Sequence, residues 1–197
     1  MKTFLHVGCG HSNKSLTTKG FNNSDWNEVR LDINPDVRPD VVGTIVDMSA
    51  IPSGSVDAVF SSHNIEHIYP HEVPLALSEF LRVLKPDGFA VITCPDLQSV
   101  CALVADNKLT DTAYISPIGS ITPLDILYGY RPQLAAGDHH MAHKCGFTLK
   151  VLMETQYVAG FRNVVGLRSR FDLWTVATKG DMPDEAIRHL AMQHFQG

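Results

Sequence analysis

Short apolar runs of strand length recur along this chain and alternate with polar or helix-patterned stretches. That alternation points to an α/β fold around a largely parallel sheet. Residues 3–7 read as a first strand, 28–33 as a second, 41–46 as a third and 56–61 as a fourth. A fifth, 89–94, follows the turn Lys85-Pro86-Asp87-Gly88, where proline and glycine stand at positions turn geometry favours. Residues 164–167 and 173–178 complete an expected seven-stranded sheet.

Helices are expected between these strands. Val73, Leu77, Phe80, Leu81 and Leu84 fall on one face at helical spacing. Pro74 is tolerated only in a first turn, which starts this helix near His71 or Glu72. Thr148 reads as an N-cap of a later helix that stops before Gly160. Residues 181–195 form an amphipathic terminal helix to which the sequence assigns no role. Two stretches break the pattern. Residues 11–26 are polar and show no helical period where the usual helix after a first strand would lie. Residues 107–146 are long and interrupted by Pro117, Pro123 and Pro132, and such connections in compact domains are usually functional. We expect one domain over residues 1–197, with 107–146 as a candidate acceptor wall or lid.

The first strand runs directly into Gly8-Cys9-Gly10, a turn that lets backbone approach a ligand without side chains intervening. Asp32 ends the second strand, where an acidic side chain can accept both hydroxyl protons of a ribose. Asp47, followed by Met48, comes after the third strand. In this architecture ligands collect at the carboxyl ends of the strands, so the three features fall in register around one site. Taken singly, each has a plainer reading as a tight turn, a loop cap or a solvated aspartate.

Several segments carry a family resemblance: Leu5-His6-Val7-Gly8-Cys9-Gly10, Arg30-Leu31-Asp32-Ile33, and residues 56–67 ending Ser62-His63-Asn64-Ile65-Glu66-His67. With Glu79-Phe80-Leu81-Arg82-Val83-Leu84-Lys85-Pro86-Asp87-Gly88 and residues 91–95, they resemble successive motifs of class I methyltransferases. The likeness is to the type 11 group of small bacterial enzymes, strongest over about residues 3–96 and weaker over 144–178. It implies a Rossmann-like, mostly parallel seven-stranded fold with helices on both faces, and S-adenosylmethionine (SAM) as methyl donor, with S-adenosylhomocysteine as product. It further implies that Gly8, Cys9 and Gly10 line the methionine part of SAM, that Asp32 with Ile33 holds the ribose, and that Asp47 with Met48 borders the adenine. Ser62 and His63 would lie near the sulfonium. The sequence departs from the pattern at His6, where an acidic residue is common, and at Ser12, where a third glycine is common. It also begins at the first strand, without the helices that often cover the cofactor.

Six of the ten histidines lie in two groups, His63/His67/His71 and His139/His140/His143. His63-x-x-Glu66-His67 resembles the Glu-x-x-Glu-His metal motif of small-RNA 3′-end methyltransferases and ubiquinone-pathway O-methyltransferases, with His63 in place of the first Glu. The segment can also be read as purely structural, or as supplying a general base, since histidine titrates near neutral pH. We take His63, His67 and His140 as candidate catalytic residues. A divalent metal is possible but not the favoured reading, and no metal ligand is assigned. The downstream loop is expected to bring His139 or His140 toward His63 and His67.

The acceptor is expected to be a small molecule. Sixteen Lys and Arg against 21 Asp and Glu leave a net charge of -5 and no basic surplus of the kind phosphate binding requires, which argues against a nucleic-acid substrate. Cys9, Cys94, Cys101 and Cys145 form no C-x-x-C pair and suggest reduced thiols, and no signal peptide or membrane span is visible. A cytoplasmic enzyme is expected, of open oligomeric state. Two rival readings are a noncatalytic SAM-binding module and a NAD-dependent oxidoreductase. The second would need Gly-x-Gly-x-x-Gly, where this chain has Gly8-x-Gly10-x-x-Asn13.

Overall fold

The computed structural model describes residues 1–195. Strands β1 (Lys2–Val7), β2 (Trp26–Asp32), β3 (Val41–Val42), β4 (Val56–Ser62), β5 (Leu84–Pro95), β8 (Asn163–Ser169) and β9 (Asp172–Thr178) form one seven-stranded sheet in the order β3-β2-β1-β4-β5-β9-β8. The first five run parallel, and β9 is antiparallel to both β5 and β8. A small hairpin, β6 (Tyr114–Ser116) and β7 (Gly119–Ile121), stands apart.

The central strands are buried on both faces, so their side chains divide alternately between two cores. Leu5, Val7, Val59, Ala90 and Ile92 point to one, covered by α1 (Val73–Val83) and α5 (Leu149–Ala159). Both helices follow the sequence signals, except that α1 ends at Val83 and Leu84, expected on its face, opens β5. Pro74 lies in the first turn of α1, and Thr148 caps α5 by accepting from the Val151 N–H, with Gly160 ending it. Phe4, Ala58, Phe60, Phe89, Val91 and Val176 point to the other core.

No helix follows β1 on that second face. Between β1 and β2 there is only a 3-10 turn, Lys14–Leu16, as the polar stretch led us to expect. The terminal helix α6 (Asp184–His194) covers the gap, burying Ile187, Ala191 and His194. Phe21 stacks on Phe4 at 4.4 Å between ring centres and meets the His194 ring at 4.3 Å. The Gly20 N–H donates to the Gln193 carbonyl, and His194 Nδ1 pairs with Thr18 Oγ1 at 2.7 Å. The role of the last helix is therefore to replace the missing one.

Several elements differ from expectation. The third strand is only Val41–Val42, because Ile45 and Val46 lie in a turn closed by the pairing of Thr44 with Asp47. Residues 85–88 do not end a helix before a separate strand. They are a bulge inside β5, where the pairing steps from Val56–Leu84 to Ala58–Phe89. Helix α2 (Leu97–Ala105), capped by Asp96, was not foreseen at all. Residues 107–146 hold the β6–β7 hairpin, the short helices α3 (Pro123–Tyr128) and α4 (Arg131–Ala135), and a 3-10 turn at His139–Met141. They share a small core with α2 through Val100, Ile121 and Ile126.

Candidate functional site

The chain runs β1 to β3 toward one sheet edge and then returns to place β4 on the other side of β1. Loops leaving the carboxyl ends of β1 and β4 therefore diverge, and a crevice opens between them. A cleft of about 520 Å³ occupies this position. Gly8, Gly10, Asp32 and Ile33 line it from one side, Thr44, Ile45 and Val46 from below, His63, Asn64 and His67 from the β4 side, and His140 and Lys144 from the loop above. A wider, open depression near Met1, Trp26 and His194 lies instead at the amino ends of the strands, away from these loops.

Gly8 and Gly10 both have left-handed backbone, φ +60° and +52°. A Cβ on Gly8 would lie 2.3 Å from Asn64 Cγ, so only glycine fits there. The turn is fixed by its neighbours. The Gly10 N–H donates to Asp32 Oδ2 at 2.7 Å, and the Asn34 N–H donates to Oδ1 at 2.8 Å. Arg30 donates to the carbonyls of Gly10 and Ser12 at 2.6 and 3.1 Å. Each Asp32 oxygen keeps a lone pair for a ligand hydroxyl.

The other candidates are placed less uniformly. Cys9 is buried beneath the turn, and burial pushes its thiol up to about 11, so it is a packing residue at neutral pH. Ser62 ends β4 just outside the lining. Asp47 and Met48 do not line the cleft. Asp47 is exposed and caps the Ser49 N–H, while Met48 is buried with its N–H donating to Glu79 Oε2. Thr44 to Val46 occupy the wall expected of them. His6, in the usual acidic position, pairs with Glu28 at 2.7 Å and turns away from the cleft.

Asn64 was not singled out from the sequence. Its Nδ2 is buried against the glycine turn with no hydrogen-bond partner. Its neighbour His63 has left-handed backbone, φ +47°, a conformation that costs a non-glycine residue energy and recurs at functional sites. Burial works against charge on the His63 ring. Even so, the carboxylates of Glu66 at 3.4 Å and Asp172 at 3.5 Å hold its pKa up to about 9.

The downstream loop does return to this region, but with a different histidine. Lys144 and Cys145 N–H groups both donate to the Glu66 carbonyl, which pins the chain there and packs His143 against His67 at 4.8 Å between ring centres. His140 is exposed on the cleft rim, and His139 is exposed outside it. The expectation that His139 or His140 would meet His67 is thus corrected to His143.

Residues 5–92 match the family model described as a methyltransferase domain. Among solved structures, a SAM-dependent methyltransferase from Archaeoglobus fulgidus is similar at 16% identity and TM-score 0.58, over 90% of this chain and 86% of that one. The 1,6-didemethyltoxoflavin N1-methyltransferase of Burkholderia thailandensis, with bound S-adenosylhomocysteine, is similar at 14% identity and TM-score 0.56, over 91% and 72%. A possible histamine N-methyltransferase from Thermotoga maritima is similar at 13% and 0.57, over 91% and 83%. No curated protein matches the sequence. The match over residues 5–92 makes that stretch similar to the methyltransferase domain family, and the solved structures share its Rossmann-like fold. Among the described residues no helix is long and apolar enough to cross a membrane, and all four cysteines are free.

Proposed function

We propose that the strand-end cleft binds SAM and presents its methyl group to a small-molecule acceptor entering beneath residues 107–146. The observation that carries this reading is the Gly8–Gly10 turn held on the Asp32 carboxylate, with the unpaired Asn64 amide beside it. In this reading the methionine part lies on the turn and takes the Asn64 donor. The ribose hydroxyls bond Asp32, with Ile33 alongside, and the adenine rests on Ile45 and Val46 rather than on Asp47 and Met48.

The reaction is an in-line attack of the acceptor on the methyl carbon. The carbon–sulfur bond breaks with its electron pair going to sulfur, and S-adenosylhomocysteine leaves. The protein contributes alignment and exclusion of water. An acceptor that must lose a proton would give it to one of the histidines on the cleft wall, His63, His67 or His140. The Burkholderia neighbour acts on a small heterocycle, which supports a small acceptor here.

Isothermal titration with SAM, S-adenosylhomocysteine and NAD tests the cofactor assignment. SAM and its product should bind and NAD should not. Binding of NAD with no response to either of the others would overturn it. A methyl-transfer screen over small oxygen and nitrogen nucleophiles then distinguishes an enzyme from a silent binding module.

A further inference from the structure

Glu66 is 1% exposed, and neither of its carboxylate oxygens has a hydrogen-bond partner. A buried ionised group in that state is costly unless something neutralises it. His63 faces Oε1 at 3.4 Å as a half-exposed ion-pair contact without hydrogen-bond geometry, and Oε2 keeps no polar partner. The space next to Glu66 holds His67 and His143, and one ligand atom from each of the three residues lies within 4.8 Å of the others.

The two rings are oriented by backbone. His143 Nδ1 lies 2.7 Å from the Ile126 carbonyl and His67 Nδ1 lies 3.2 Å from the Ala142 carbonyl. Carbonyls only accept, so both Nδ1 atoms carry the proton and both Nε2 atoms keep a free lone pair. Protein metal sites hold their imidazoles in this way, the second nitrogen donating to a carbonyl while the first ligates. A small void of about 20 Å³ borders Glu66 and His143 on one side, and His67 lines the main cleft on the other.

We propose that Glu66, His67 and His143 form a binding site for one divalent transition-metal ion of the zinc class, at the inner end of the cleft. Two imidazoles and one carboxylate suit such an ion and leave at least one position for an outside ligand. On the cleft side that ligand would be an acceptor oxygen, whose proton a bound divalent ion makes easier to remove. The acceptor class is then a hydroxyl compound. This second part rests on the methyltransferase reading above, whereas the metal site does not.

The test uses the full chain without SAM. The protein is stripped with chelator, dialysed against buffered Zn²⁺, and analysed for bound metal and for thermal midpoint. One ion per chain is expected, with a raised midpoint because the ion binds the folded state. His143→Ala and Glu66→Gln should weaken retention at least about tenfold. His71→Ala and His139→Ala, which change histidines outside the trio, should retain the ion. If Glu66→Gln fails to fold, His67→Gln replaces it, and the wild-type stoichiometry decides in any case. No retained ion in the wild type would overturn the site, as would full retention by both His143→Ala and His67→Gln. Zinc binding without SAM binding would leave the metal site standing and remove the proposed function alone.

Discussion

The backbone N–H of Gly10 and the carboxylate of Asp32 meet at 2.7 Å, across the ends of two adjacent parallel strands. The residue expected to hold the ribose therefore also holds the turn on which the rest of the cofactor would lie. Asp32→Ala should weaken SAM binding by about 1–3 kcal/mol, the range for lost hydrogen bonds to a charged group. It should also lower stability by about 1–2 kcal/mol, since the Gly10 and Asn34 N–H groups lose their acceptor. Titration calorimetry and urea denaturation read the two effects separately. A folded variant with parental SAM affinity would refute the ribose assignment.

Burial pushes the His194 imidazole down to about 4, because charging it would strand a cation in the aromatic core beside Phe21 and Phe89. The unfolded chain takes up this proton near the ordinary value of about 6.5, while the folded chain resists until about 4. The unfolded state thus binds more protons in between, and stability falls as pH drops through that window, flattening below it. The full loss from this group is about 3 kcal/mol, an order-of-magnitude figure. Denaturation of wild type and His194→Leu from pH 7.5 to 4 should show wild type losing stability relative to the variant as pH falls. Parallel curves would show that His194 does not titrate in this way.

Asp125 and Thr122 form a reciprocal cap on α3, and Arg131 donates to Asp125 at 2.7 Å. The Arg131 guanidinium and Thr122 donors outweigh burial and hold the Asp125 carboxyl far below its ordinary range. Asp125→Ala should cost about 1–2 kcal/mol in the small core under residues 107–146. Hydrogen exchange in α3 and the β6–β7 hairpin should speed up while SAM affinity stays within about twofold, the change expected when no cofactor contact is lost. A matching loss of SAM affinity would show that this segment belongs to the cofactor site rather than to the acceptor wall.

Local signals were legible where one stretch of chain decides the outcome. Thr148 and Gly160 bound α5 as written, and Gly8-Cys9-Gly10 leaves β1 as a turn that excludes a Cβ. Long-range pairings were not. Nothing in the spacing of His139, His140 and His143 says which one reaches His67. That is settled by Lys144 and Cys145 bonding to a carbonyl nearly eighty positions earlier. Asp47 misled for a similar reason. Its apolar neighbours Ile45 and Val46 read as strand but turn under the cleft, leaving Asp47 outside it. Helix α2 was missed although its signals are present, an Asp96 cap followed by Leu97, Val100, Cys101 and Val104 at helical spacing.

The pairing of Thr18 with His194 spans 176 residues of sequence. A nascent chain making β1 and the Phe21 loop therefore has no cover for Phe4, Phe21 and Phe60 until nearly two hundred residues have emerged. Contacts of that separation form late, and the uncovered aromatic face is the kind of surface chaperones retain and aggregates share. Replacing a helix next to β1 by α6, far later in the chain, leaves the aromatic face uncovered until α6 has been made. Premature termination anywhere before residue 184 would release a chain with an exposed, sticky sheet.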